Sequence, residues 1–145
     1  MAQHQYLSIR IGDASFLLHG AASLAIEKRA SLGPKKEGDI AVAWRADKGG
    51  DWPAYALDSE LRLASNGNWQ RVVFVQGAPR PVGLAAEEIQ LLADEEIIPE
   101  PFTPLGDWIP GVGHLISSAW INEGEINLVL DPAKLGAYLQ MLGNR

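Results

Sequence analysis

The chain has 145 residues, and 12 Lys and Arg against 18 Asp and Glu give it a formal net charge of −6. Proteins that bind a phosphate backbone gain most of their affinity from Lys and Arg, so this balance disfavours nucleic acid as a partner. The chain has no cysteine, which excludes disulfides, thiolate nucleophiles and Cys-ligated metal centres. The N-terminus lacks signal-peptide features, and no run approaches the roughly 18 apolar residues of a membrane span. We therefore expect a cytoplasmic protein without membrane insertion.

Two segments have the pattern of a β-hairpin. Residues 6–11 alternate bulky and polar side chains up to a turn at Gly12 and Asp13, and residues 16–18 follow at hairpin distance. Residues 71–76 form a similar run, which turns at 77–79 and leaves through 82–84. The two halves of the chain thus begin in the same way.

Each half continues with a second shared pattern. Residues 40–45 form a strand-like run that contains Ala-Trp, and a turn follows it. Residues 53–57 form an apolar strand whose last residue, Leu57, precedes Asp58. Residues 115–121 and 126–130 repeat that order around a turn at 122–124. The pattern indicates an internal duplication with an offset of 65 to 76 residues, because Trp44 corresponds to Trp120.

About five short strands per half predict a mainly β fold of two tandem five-stranded barrels. We expect a single domain over residues 1–145, with one subdomain over about 6–63 and the other over about 71–130. A half of this size buries too little surface to be stable alone, so the two should pack together and leave a groove between them.

A short helix is predicted at the C-terminus, over residues 132–142. Asp131 suits the N-cap, Pro132 suits the first helical position, and apolar residues from Leu135 to Leu142 recur with helical spacing. Residues 85–93 also contain good helix formers, but the duplication places a strand there. We expect the strand.

The polar residues do not form a pattern typical of a catalytic or metal site. His4, His19 and His114 are too scattered for a metal site. The 15 glycines include no phosphate-binding loop, and no serine lies in a nucleophile elbow. We therefore expect no catalytic residues, no metal and no cofactor, and we do not expect an enzyme.

The five tryptophans fall into two groups. Trp44 and Trp120 occupy equivalent strand positions, which favours packing in or between the barrels. Trp52, Trp69 and Trp108 lie in segments rich in Asp, Asn and Pro, where exposed rings could anchor a partner or stack on a carbohydrate. A small ligand- or sugar-binding β module is therefore the alternative interpretation.

The second half also carries a series of family-like segments. They are the valine strand at 71–75, the Val-Gly-Leu-Ala-Ala-Glu-Glu-Ile run at 82–89, Ile-Ile-Pro at 97–99, Ile-Pro-Gly-Val-Gly at 109–113 and Leu-Val-Leu-Asp at 128–131. Together they resemble the CheW family of chemotaxis coupling proteins. The first half fits more loosely, through Gly12-Asp13, the 53–57 strand and Leu61.

The resemblance implies two SH3-like β-barrels and a scaffold role in chemosensory signalling. Such an adaptor bridges the regulatory domain of a CheA-type histidine kinase and the cytoplasmic tip of a chemoreceptor, and self-association is compatible with that role. Residues expected at a partner-binding groove, rim or turn are Glu37, Gly38, Ile40, Val42, Leu57, Val82, Ile89 and Val112.

The chain departs from the family pattern at one motif linked to partner contacts. Where the family carries Arg-Gly, the best match here is Glu37-Gly38, so the charge is reversed. A family glutamate after the third strand corresponds to Glu27, and Ala86-Glu87 stands for the family's Val-Asp. The sequence thus predicts a divergent partner, such as the kinase of a non-flagellar system.

Overall fold

The computed structural model describes residues 5–64, 67–92, 100–101, 113–122 and 124–143. The strands are β1 Tyr6–Ile11, β2 Ala14–His19, β3 Ala25–Lys28, β4 Gly33–Pro34, β5 Ala43–Arg45, β6 Trp52–Ala56, β7 Arg71–Val75, β8 Val82–Ala86, β9 Glu88–Leu92, β10 Glu100–Pro101, β11 Ile116–Asn122 and β12 Glu125–Leu130. A single α-helix in these residues, α1, spans Pro132–Gly143.

The described strands form two six-stranded sheets. Sheet A has the order β10-β11-β12-β2-β1-β9, and sheet B has the order β4-β5-β6-β8-β7-β3. Strands whose numbers differ by six occupy the same place in the two sheets. Thus β4 corresponds to β10, β5 to β11, β6 to β12, β8 to β2, β7 to β1 and β3 to β9. The parallel contacts agree as well, because β6 pairs with β8 as β12 pairs with β2. The sheet topology confirms the duplication.

Each half places its first hairpin in the sheet of the other half. The β1–β2 hairpin lies beside β12 and β9, and the β7–β8 hairpin lies between β6 and β3. The sheets therefore do not follow the segments 6–63 and 71–130, whose bounds stay a prediction. Without the two-residue edge strands β4 and β10, each sheet has five strands. The mainly β, two-barrel fold with a short C-terminal helix is confirmed.

The main core lies between the two sheets. Alternate residues of β1, such as Leu7 and Ile9, face Val73 and Leu84 of sheet B, and all four side chains are buried. A second cluster fills the concave face of sheet B around Phe74. The larger of these two clusters thus holds the two sheets together.

The helix α1 closes one end of this core. Asp131 caps it, since the backbone N–H of Lys134 donates to Asp131 Oδ1 at 3.0 Å. Leu135, Leu139 and Leu142 are buried on one stripe. A Cβ on Gly136 would overlap the carbonyl oxygen of Gln76, so only glycine allows the helix to approach the sheet this closely. The predicted helix is confirmed.

Candidate functional site

A groove lies where the edges of the two sheets meet. The edge strands of this groove, β3 in sheet B and β9 in sheet A, are equivalent under the duplication. A depression of about 420 Å³ between them is lined by residues of both sheets. Its lining residues, which define the inter-sheet groove, are Gln5, Leu7, Gly20, Ala21, Ser23, Ile26 and Leu91.

The inter-sheet groove is apolar and open. Ile26 on β3 is 42% exposed, Leu91 on β9 is 61% exposed, and Leu24 just before β3 is 47% exposed. Leu91 pairs with Leu7 of β1, so its side chain projects from the same face as that core residue. Large apolar side chains grouped on a surface are typical of a site that another protein covers.

A second exposed apolar surface lies at the end of the β11–β12 hairpin. Ile121 and Ile126 are directly opposite each other across the hairpin and are 66% and 63% exposed. We call this pair the hairpin tip. In sheet A the strands β12, β2 and β1 separate β11 from β9, so the hairpin tip and the inter-sheet groove are distinct surfaces.

The Glu37-Gly38 pair lies in an exposed turn, which we call the 36–39 turn. The carboxylate of Asp39 holds it, because Oδ2 accepts from the backbone N–H of Lys36 at 3.2 Å and from Trp44 Nε1 at 2.9 Å. Gly38 adopts φ +85°, a conformation that favours glycine. Glu37 is therefore a central residue of a fixed turn and is exposed to solvent.

Three of the predicted groove or rim residues are buried instead. Val42, Leu57 and Val82 are 7%, 5% and 0% exposed, and each belongs to a hydrophobic core cluster. The sequence pattern placed these apolar residues on strands, but it did not show that both faces of sheet B are covered by hydrophobic clusters. We assign these three side chains to stability rather than to contact with a partner.

The other predicted contact residues have different positions. Ile40 and Ile89 are half-buried and pack against the main core. Ile89 lies on β9 two residues from Leu91, so both project from the same face of the strand beside the inter-sheet groove. Val112 lies outside the described residues.

The tryptophans expected in exposed loops are covered where the structure describes them. Trp69 is 6% exposed, and the Arg29 guanidinium stacks on its ring at 4.3 Å. Trp52 lies on β6, packs against Phe74 and carries the Arg45 guanidinium at 4.6 Å. Trp69 is thus buried and Trp52 is half-buried on a strand, so neither is the exposed loop ring that its polar segment indicated. Trp108 lies outside the described residues.

Trp44 and Trp120 are both half-buried against core clusters, as the duplication predicts. His19 accepts a hydrogen bond from the backbone N–H of Ala21 at 3.2 Å. In the described part of the chain, no group of His, Asp and Glu side chains could hold a metal ion. No described helix has the length and hydropathy to cross a membrane.

Sequence reasoning missed the residues that form both apolar surfaces. Ile26 lies between Ala25 and Glu27 in a four-residue strand that is too short to show periodicity, and its edge position depends on the sheet order. Ile121 and Ile126 lie in segments that were predicted as strands. Their exposure results from the end of the hairpin lying beyond the core.

Comparisons with known proteins agree with this architecture. Neither a protein-family model nor a curated protein sequence matches the chain. Among solved structures, the scaffolding protein TtCheW from Thermoanaerobacter tengcongensis superposes with a TM-score of 0.63 over 92% of each chain, at 12% sequence identity. The chain has a CheW-like fold. At 12% identity most side chains of the two proteins differ, so surfaces have to be argued from the residues present.

Proposed function

We propose that the protein is a non-enzymatic adaptor of chemosensory signalling, which bridges the regulatory domain of a CheA-type histidine kinase and the cytoplasmic tip of a chemoreceptor. The observation that carries the proposal is the presence of two separate exposed apolar surfaces, the inter-sheet groove and the hairpin tip. An adaptor needs two such surfaces, because it holds two partners at once. The CheW-like fold, shared with a scaffolding protein, supports the same role.

The inter-sheet groove suits a helix of the receptor. Side chains from both edges, Ile26 and Leu91, project into it, and an amphipathic helix recognises such a groove through its apolar stripe. The hairpin tip consists of two exposed side chains at the end of a hairpin, and we assign it to a like-folded kinase domain. Modest affinity at each surface is sufficient when many copies assemble together, since linked sites raise the effective concentration.

The 36–39 turn is a third element of the proposal. Glu37 replaces the arginine of the family pattern and is exposed on a turn that Asp39 holds in place. We assign this turn to partner selection, with Ile40 behind it packed on the core. The variant Glu37→Arg should change affinity for the kinase or the receptor, because it reverses a charge at a rigid, exposed position.

The proposal is tested with the host's own kinase regulatory domains and receptor tips. Leu91→Asp should weaken receptor binding at least about tenfold and leave kinase binding unchanged, because it introduces a charge into one apolar contact. Ile121→Asp should do the reverse. Leu63→Asp is the matched control, since Leu63 is also an exposed apolar residue, at 38%, but lines neither the inter-sheet groove nor the hairpin tip.

Isothermal titration of each variant against each partner gives the affinities. Circular dichroism verifies the fold, which all three substitutions should preserve because their sites are exposed. A wild-type protein that binds neither partner would overturn the proposal. Equal loss of both partners in Leu91→Asp would also contradict it, as would formation of homodimers through the inter-sheet groove.

A further inference from the structure

Two basic residues face each other across β3 and β7. Lys28 is directly opposite Arg71 in the register of these antiparallel strands. Like charges in this position repel and destabilise a sheet. Within the described residues, neither side chain takes part in an ion pair. The fold itself does not explain why both positions are basic.

The pair lies at one end of the inter-sheet groove. Side chains alternate along a strand, so Lys28 projects from the same face of β3 as Ile26, which lines the groove. Arg71 likewise shares a face of β7 with Val73, a residue of the main core. Two residues of a strand span about 6.6 Å, which places the charges just beyond the apolar depression.

The acidic residues of the adjoining elements have other partners. Glu27 of β3 projects from the opposite face, where its carboxylate meets Arg45 Nε at 2.8 Å. Glu87, just before β9, and Glu88, its first residue, pair with Arg10 at 3.2 and 3.8 Å. The basic pair is therefore not neutralised by the strands around it, in a chain whose net charge is −6.

We infer that the inter-sheet groove receives an amphipathic helix whose apolar stripe is followed by a carboxylate that binds Lys28 and Arg71. This inference rests on the proposed function and specifies the chemistry of the receptor segment. A carboxylate between the two cations would replace their repulsion by two attractions. Four residues of a helix rise about 6 Å, so the acidic residue lies one turn beyond the residue that contacts Ile26.

The test is a fluorescence-anisotropy titration of the full chain with the cytoplasmic tip of the host receptor, produced as a helical hairpin. At low salt, Lys28→Glu and Arg71→Glu should each weaken binding about five- to tenfold, and the effect should shrink at 300 mM NaCl because exposed ion pairs are screened. Lys48→Glu is the matched control, since it makes the same change at an exposed lysine outside the groove. Its affinity should change less than twofold.

A thermal melt separates binding from folding. Lys28→Glu places opposite charges across β3 and β7, so its Tm should stay the same or rise while its affinity falls. In addition, replacing the receptor's acidic residue by lysine should restore binding to Lys28→Glu. A merely structural role for Lys28 predicts neither result.

The outcomes distinguish this inference from the function on which it rests. If Leu91→Asp abolishes binding while both charge reversals and salt leave it unchanged, the inference is wrong and the adaptor proposal stands. If the wild-type protein does not bind the receptor tip, both are overturned. Binding that depends on Lys28, on Arg71 and on Leu91 supports the inference and the adaptor proposal.

Discussion

Tyr55 is a buried phenol on β6, only 5% exposed, and it packs within the main core beside the end of α1. A Cβ on Gly143 would overlap its hydroxyl group, so the helix end closes over the ring. Burial raises the pKa of Tyr55 above its ordinary value, with Arg80 opposing this shift and Asp39 adding to it. The folded protein therefore favours the neutral phenol.

This pKa shift predicts a loss of stability in alkali. Between the unfolded and the folded pKa, the folded state holds a proton that the unfolded state releases, so the free energy of unfolding falls as pH rises above about 10. Below that pH the shift has no effect on stability. Tyr55→Phe removes the titrating group, so it should lose less stability than the wild type between about pH 9 and pH 11. Urea unfolding at these pH values measures this, and parallel curves for the two proteins would contradict it.

The role of a single residue was predicted correctly where its neighbours in the chain determine that role. Asp131 caps α1 as its position before Pro132 indicates. Trp69 was placed wrongly because its segment is polar, while its burial comes from Val72, Phe74 and the distant Arg29. Contacts of that kind leave no signal in a local pattern.

At the scale of elements, an ion pair fastens β3 to β5 across the concave face of sheet B. Glu27 and Arg45 are separated by three strands in the sheet order, yet their side chains meet at 2.8 Å. Arg45 also covers the ring of Trp52 at 4.6 Å. The sheet is therefore curled into a half-barrel, which this pair helps to close.

The Glu27–Arg45 pair should make a measurable but small contribution to stability. Both side chains are about 30% exposed, so we expect a coupling free energy of about 1 kcal/mol, decreasing at high salt. A double-mutant cycle with Glu27→Gln and Arg45→Gln, followed by urea unfolding, gives this value. The exposed Arg62–Glu60 pair provides the control and should show almost no coupling. Zero coupling between Glu27 and Arg45 would mean that the ion pair does not hold β3, which then depends on backbone pairing with β7 and the packing of Ala25.

Elements with clear periodicity were predicted correctly from the sequence. The hairpins β1–β2 and β7–β8 follow from alternation, and β9 follows from the duplication, although its residues have good helix propensity. The strand predicted over 40–45 is shorter, with β5 covering Ala43–Arg45 only. The edge strand β3 was not identified, which is why one wall of the groove was missed.

At the scale of the whole molecule, the exchange of hairpins between the halves determines how the protein is held together. The parallel contacts β6–β8 and β12–β2 connect each half to the hairpin of the other. Pairing between distant segments is not encoded in local alternation, so the sequence predicted two barrels but not the exchange of hairpins between the halves. The same exchange brings the equivalent edges β3 and β9 together at the groove.

Because each sheet needs strands from both halves, neither half should fold alone. We expect one cooperative unfolding transition in the intact chain, with coincident curves from circular dichroism and tryptophan fluorescence. Fragments 1–65 and 66–145 should each lack a cooperative melt, since each would expose the edges and core that its counterpart covers. Mixed at equal concentration, they should recover the spectrum of the intact chain, with a Tm that rises with fragment concentration. A cooperative melt of either fragment alone would mean that the hairpins can pair within their own half.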